Sequence, residues 1–365
     1  MEKILGIHHT SSIVKNPQEN VDFYAAFFGM RLVKQTSNHE NKNNYHLYYA
    51  NHDSSNAITT HFPMQESEEG KIGDGQVETV RYAIAPGSMS FWEKRLEHFG
   101  IFYFHYKRFN QNYLAFNDPH GLALELVETD LGQTNKWEFN GVSSDVAIKD
   151  IYNVTVASKR PESTVKLFTE IFGYTIDQND SEYLRLKIHD NIGGTIDIRK
   201  QRSEEGVEGT GTIHHIALAI ENGSAEKWKS KLIDAGYFPT AVKNRNYFQS
   251  LYFRDQGGSI IELATQGPGL TFDESVEELG HTFIIPPHFE EDRESILAEI
   301  APIEVKEISQ LKTYGYRNRQ EFEMIQKRQD MIRELKALKA SGADKETLDA
   351  FKKEQMRRLQ YVSTR

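Results

Sequence analysis

Two short stretches of this chain place adjacent histidines inside runs that otherwise read as strands: GIHHTSSIV at residues 6 to 14 and TIHHIALAI at residues 212 to 220. Successive side chains of a strand point to opposite faces, so one histidine of each pair can reach a given cavity. In TIHHIALAI, His215 shares its face with Ala217 and Ala219, whereas His214 lies with Ile216, Leu218 and Ile220. Small alanines leave room for a ligand, so His215 is the cavity-side residue. In the first stretch both faces mix polar and apolar residues, and alternation leaves His8 and His9 both open. Glu262 is the third candidate, an acid within the apolar run SIIEL, where burial is costly unless a cation compensates it. Imidazole nitrogen and carboxylate oxygen are ligand types for a divalent first-row metal. The chain has no cysteine, which removes thiolate ligands, disulfides and cysteine nucleophiles together.

The elements that must position these residues form an internal repeat. Pro17, Val21, Tyr24, Phe28 and Gly29 recur as Pro161, Val165, Phe168, Phe172 and Gly173 at a constant offset of 144. Each set predicts a helix with proline in its first turn and glycine as its stop. Trp92, Leu96 and Gly100 match Trp228, Leu232 and Gly236 at an offset of 136, and FNDPHGLALEL matches FRDQGGSIIEL at 137, aligning Asp118 with Asp255 and Glu125 with Glu262. The Asp-x-x-Gly stretches predict hairpin turns between short strands. The body thus divides into four modules near residues 4–64, 77–129, 149–200 and 211–266, each running strand, helix, then about three strands. The metal ligands are not repeated: Asn153 stands at the His9 position of module 3 and Thr79 at the His215 position of module 2, while Glu125 keeps a ligand type and is expected to make structural hydrogen bonds.

A chain of 365 residues with a net charge of −10 has room for about two domains and argues against nucleic-acid binding, which needs a basic face. Neither a membrane-spanning run nor a secretory leader is visible, so a cytoplasmic protein is expected. Residues 311–365 carry 14 Lys+Arg against 8 Asp+Glu, a net of +6 that leaves −16 for the remainder. Ile332, Leu335 and Leu338, followed by Gly342, predict one helix of a basic helical hairpin there. Such an extension is suited to docking on the body or on a second copy, giving a homo-oligomer.

The modular organisation resembles the vicinal oxygen chelate superfamily, which includes glyoxalase I, bleomycin-resistance proteins and extradiol ring-cleaving dioxygenases. The resemblance covers roughly residues 4 to 290 and implies an α+β fold of four βαβββ modules. Two half-barrel-pair domains are expected, at 4–129 (modules 1 and 2) and 149–266 (modules 3 and 4), followed by a closing segment at 267–310 and the extension at 311–365. The family pattern favours the second histidine of each pair, hence His9, completing with His215 and Glu262 a two-histidine, one-carboxylate set of the kind that non-haem Fe(II) oxygenases use. Mn(II) accepts the same set.

A ligand set drawn from the first and fourth modules is similar to that of the hydroquinone-cleaving branch. Catechol enzymes draw theirs from modules 3 and 4, where Asn153 breaks the pattern. Carried over by position, the resemblance implies His214, Tyr252 and Arg245 as catalytic neighbours and His8, Ser11, Arg245 and Tyr252 as contacts to a small aromatic substrate that reacts with O2. Glyoxalase-type isomerases of the family use a fourth protein ligand. The matching position here is Thr60, with His61 on the other face, and a slip of one residue would substitute His61 and favour an isomerase. A non-catalytic aromatic-binding protein is the remaining alternative, distinguished by whether it needs the metal.

Overall fold

The computed structural model describes residues 2–54, 57–313, 338, 341–345, 347, 348, 350 and 351. Module 1 consists of β1 (Ile4–Val14), α1 (Pro17–Val21), β2 (Arg31–Ser37), β3 (Tyr45–Ala50) and β4 (Ile58–Pro63). Module 2 has β5 (Gln76–Ile84), α2 (Met89–His98), β6 (Tyr103–Arg108), β7 (Gln111–Asn117) and β8 (Ala123–Glu128). Module 3 has β9 (Asp150–Ala157), α3 (Pro161–Lys166), β10 (Thr175–Asn179), β11 (Tyr183–Lys187) and β12 (Thr195–Arg199). Module 4 has β13 (Thr212–Ile220), α4 (Ala225–Asp234), β14 (Lys243–Asn244), β15 (Gln249–Arg254) and β16 (Ile260–Thr265), and the closing segment adds β17 (Phe283–Ile284) and α5 (Arg293–Glu299).

The repeated signals act as their chemistry requires. Asn16 caps α1 through its side chain, which accepts from the Glu19 amide at 3.0 Å, and Pro17 occupies the first turn, where a missing N–H costs nothing. Both α1 and α3 continue into a wider π-helical turn, Asp22–Phe27 and Leu167–Ile171. Gly29 and Gly173 then leave it with φ of 66° and 84°. At the hairpins, Asp118 accepts from the His120 and Leu122 amides, and Asp255 from the Ser259 amide.

Strand pairing corrects the expected domain grouping. The modules do not associate in chain order: β1 pairs antiparallel with β13, and β5 with β9, so module 1 joins module 4 and module 2 joins module 3. One sheet therefore runs β14-β15-β16-β13-β1-β4-β3-β2-β17 and the other β10-β11-β12-β9-β5-β8-β7-β6, meeting at Ile213↔Val77. The physical reason is self-complementarity. The first strand of every module has a free long edge, and antiparallel pairing of two equivalent strands satisfies both.

Each of these first strands is interrupted at the same place. Ile7↔Leu218 is followed by His9↔Ala217, leaving His8 as the extra residue of a β-bulge, and Ser11↔His215 is followed by Ser12↔Ile213, leaving His214 as another. The second pair repeats the device, skipping Glu78 and Tyr152. A bulge breaks alternation and re-aims its neighbours.

The cup between modules 2 and 3 is filled by a buried cation of the chain itself. The register places Arg81 opposite Glu125 and Thr155 opposite Asp197. The Arg81 guanidinium bonds Glu125 and Asn153 and reaches Asp197 at 3.1 Å, with Arg81 and Asp197 fully buried. Glu125 thus makes the structural bonds expected of it.

By their contacts, Met1–Glu93 and Tyr103–Leu311 form one unit, and Lys94–Phe102 with the residues from Lys312 onward another. Ile332 and Leu335 of the expected helical hairpin lie outside the described residues. Leu338 is helical and Gly342 follows it in a turn with φ of 79°. No described helix is long and apolar enough to cross a membrane.

Replacing Arg81 with alanine leaves Glu125 buried without its cation, while Asp197 keeps Arg185 and Arg108, and should destabilise the fold by about 3–5 kcal/mol. Equilibrium urea denaturation checks this, and a loss below about 1 kcal/mol would count against the cluster's role.

Candidate metal centre

β1, β13 and β16 bring three ligand atoms to one point. Glu262 Oε2 lies 2.9 Å from His9 Nε2 and 2.9 Å from His215 Nε2, and the two nitrogens are 3.2 Å apart. All three side chains are buried. Neither carboxylate oxygen of Glu262 meets a donor in hydrogen-bonding geometry, an unusual state for a buried acid. Burial pushes the Glu262 carboxyl up, but His9 and His215 outweigh it and hold it well below the usual carboxylate range. Burial also pushes His215 down to about 4 against the pull of Glu262, so at neutral pH its imidazole is uncharged. A divalent cation among these atoms would answer the carboxylate and both lone pairs at once. Among the described residues this is the one such group of histidine, aspartate and glutamate side chains.

The bulged histidines stand behind the ones they precede. His8 Nδ1 is 2.8 Å from His9 Nδ1, and His214 Nδ1 is 2.7 Å from His215 Nδ1. If His9 and His215 offer Nε2 to a metal, each carries its proton on Nδ1, and the neighbouring imidazole must accept it. Burial, with His9 alongside, pushes His8 down to about 3, and burial lowers His214 too. Both are therefore neutral acceptors, which is how partners behind metal ligands fix tautomer and ring orientation.

A cavity of about 670 Å³ opens on the centre and is lined by His9, His215, His214, Ser11, Arg245 and Tyr252 among others. His8 does not join them, contrary to its expected substrate contact. The bulge turns it toward a separate cavity of about 160 Å³, with the Phe248 ring 5.0 Å from His8 and 5.4 Å from His9. Tyr252 has its ring 5.4 Å from that of His215. Burial and then the Glu262 charge keep its phenol well above the ordinary range despite Arg245, so it is protonated and able to donate. Arg245 lies 5.4 Å from the Tyr252 ring. Its guanidinium and the Lys243 ammonium are both held by Glu40, at 2.9 and 2.7 Å. These bonds draw the Glu40 carboxyl down to about 2.

The first 126 residues carry a match to the glyoxalase/bleomycin resistance protein/dioxygenase superfamily model over residues 6–126. Over 309 residues the chain is 40% identical to MhqO of Bacillus subtilis strain 168, named as a candidate ring-cleaving dioxygenase, covering 84% of this chain and 99% of that one. The chain belongs to this superfamily. It is also 28% identical over 308 residues to the chlorohydroquinone/hydroquinone 1,2-dioxygenase of Sphingobium indicum, covering 81% of this chain and 96% of that one. The crystal structure of a candidate dioxygenase from Bacillus subtilis superposes with a TM-score of 0.82 at 40% identity, over 84% of this chain and 100% of that one. Glyoxalase I from Zea mays, at 14% identity and a TM-score of 0.53 over 77% of this chain and 98% of that one, shares the fold.

Within the superfamily fold, register decides the fourth ligand position. Ser11 pairs with Thr60 as Ala217 pairs with Glu262, so Thr60 is the counterpart of Glu262. Its hydroxyl is engaged with Ser11 Oγ at 2.7 Å and His46 Nε2 at 3.0 Å. His61 faces the helices, 4.2 Å from the Tyr24 ring, and supplies no ligand. Among the wall residues that escaped the sequence reading are His46, Tyr48 and Phe248. The Tyr48 hydroxyl bonds His46 Nδ1 at 2.8 Å, and burial pushes His46 well down. Because β3 is buried along its whole length, it shows no polar-apolar alternation. The one available signal was the i, i+2 spacing of His46 and Tyr48.

Replacing His8 or His214 with phenylalanine should weaken divalent-metal affinity by about 10- to 100-fold while leaving the three candidate ligands in place. Anaerobic titration against a competing chelator measures it, and unchanged affinity in both variants would remove the orienting role.

Proposed function

We propose that this chain is an extradiol-type ring-cleaving dioxygenase acting on a hydroquinone-type (1,4-dihydroxybenzene) aromatic with O2, using His9, His215 and Glu262 as its metal ligands. The observation that carries the reading is the convergence of His9 Nε2, His215 Nε2 and Glu262 Oε2 at the floor of an open cavity. Thr60 stands where an isomerase of the same fold would need a fourth ligand. The names of the relatives, both MhqO and the chlorohydroquinone/hydroquinone 1,2-dioxygenase, support the same chemistry.

Iron(II) held there would supply the redox and Lewis-acid chemistry that lets O2 react with an electron-rich ring. The chain's own residues do the rest. Phe62 and Phe248 line the cavity beside the ligand histidines and exclude water from the ring faces. His214, whose Nδ1 is engaged with His215, keeps its proton on Nε2, and with the Tyr252 phenol it places two neutral donors at the cavity wall. They can stabilise anionic oxygen as it develops. Arg245, anchored by Glu40, adds a fixed positive charge that favours ionisation of a substrate hydroxyl. Ring opening breaks the carbon–carbon bond beside a hydroxylated carbon and retains both oxygen atoms in the product, so no external reductant is consumed.

After anaerobic loading with Fe(II), the protein should take up one O2 per hydroquinone consumed, read with an oxygen electrode; loading with Mn(II) in parallel identifies the competent metal. Glu262→Ala should lower both tight metal binding and uptake to background. Absence of uptake with every hydroquinone and catechol, with either metal, would overturn the dioxygenase reading.

A further inference from the structure

The cavity is much larger than the ring it would hold. An apolar space of about 150 Å³ accommodates one benzene, whereas the volume here is about 670 Å³. The lining includes the apolar side chains of Phe238, Met64 and Ile260 besides the residues around the candidate ligands. Phe238 is 93% exposed, the most exposed of the large apolar side chains among the described residues. Single exposed apolar residues are ordinary, but this one stands on the wall of a cavity, where a bound molecule can cover it.

The charged groups lining the same cavity are partly paired. Glu40 takes Lys243 and Arg245. Arg254 bonds the Gly258 carbonyl at 2.9 Å and lies 3.9 Å from Glu208, and burial pushes His39 down to about 4, leaving it neutral. Glu40 offers one negative charge to two cations, and the positive charge left over is available to the oxygens of the diol ring, while an apolar substituent meets Phe238, Met64 and Ile260 without disturbing any of these pairs.

Resting on the dioxygenase reading above, we infer that the preferred substrates are hydroquinones bearing a bulky apolar substituent, alkyl or aryl, with the diol ring at the His9–His215–Glu262 floor and the substituent against Phe238. Phe238 is then a specificity-determining residue. An apolar group that packs well in such a pocket is worth roughly 10-fold or more in discrimination.

The test compares hydroquinone, methylhydroquinone, tert-butylhydroquinone, phenylhydroquinone and the carboxymethyl derivative, by kcat/KM for O2 uptake and by anaerobic calorimetry for binding. The expected result is that kcat/KM and affinity rise at least about 10-fold from hydroquinone to the phenyl compound, with the carboxymethyl compound below it. In Phe238→Ser the phenyl-to-hydroquinone ratio should fall toward unity, and in Phe238→Leu most of it should survive. A flat or falling size series, a preference for the carboxymethyl compound, or an unchanged ratio in Phe238→Ser would each overturn the inference. If no compound is turned over, the dioxygenase reading fails by itself, and the size dependence of binding still decides the subsite.

Discussion

Everything at the candidate centre depends on the antiparallel pairing of β1 with β13. Each of these strands supplies one imidazole, and the pairing register alone sets the 3.2 Å between their Nε2 atoms. A slip by one residue would turn every side chain of one strand to its other face and separate the histidines. The register is held from both sides, since β1 also pairs with β4 and β13 with β16, and the latter places Glu262 beside Ala217. The small Ala217 side chain leaves the space into which Glu262 and the histidines point.

The bulges at His8 and His214 are a second constraint acting through the first. A regular pair of strands would send adjacent histidines to opposite faces and leave each without the other. The extra residue lets neighbouring rings meet through Nδ1, at 2.8 and 2.7 Å, so that a His-His dipeptide offers both a candidate ligand and a group placed to orient it. The same backbone device recurs at Glu78 and Tyr152, where no histidine exists. It therefore belongs to the module rather than to the metal chemistry.

Much of this was legible in the sequence, and the parts that were not have identifiable causes. The repeat offsets gave four modules because helix caps, glycine stops and Asp-x-x-Gly turns are local signals. His215 could be assigned by alternation because Ala217 and Ala219 mark its face, and Glu262 because an acid in an apolar run has a cost. Which modules would pair could not be read, since edge complementarity between strands two hundred residues apart leaves no local trace. The position of His8 was misjudged for a related reason: a bulge changes the face of a residue without changing the sequence pattern around it. Phe248 and Tyr48 look like core residues in sequence, and only the placement of the cavity distinguishes them.

The two module pairs meet the same electrostatic demand by different means. Glu125 at the second cup is answered by Arg81, at the position that Ala217 holds in the first, and Asp197 by Arg81 together with Arg185 and Arg108, all delivered by the chain itself. One half thus holds its cations within the polypeptide, whereas Glu262 in the other faces only His9 and His215. The two halves are accordingly asymmetric, with modules 2 and 3 carrying their own cations and modules 1 and 4 leaving a place for one. If an ion fills that place, its loss would be felt by modules 1 and 4, while modules 2 and 3 would keep their charge balance without it.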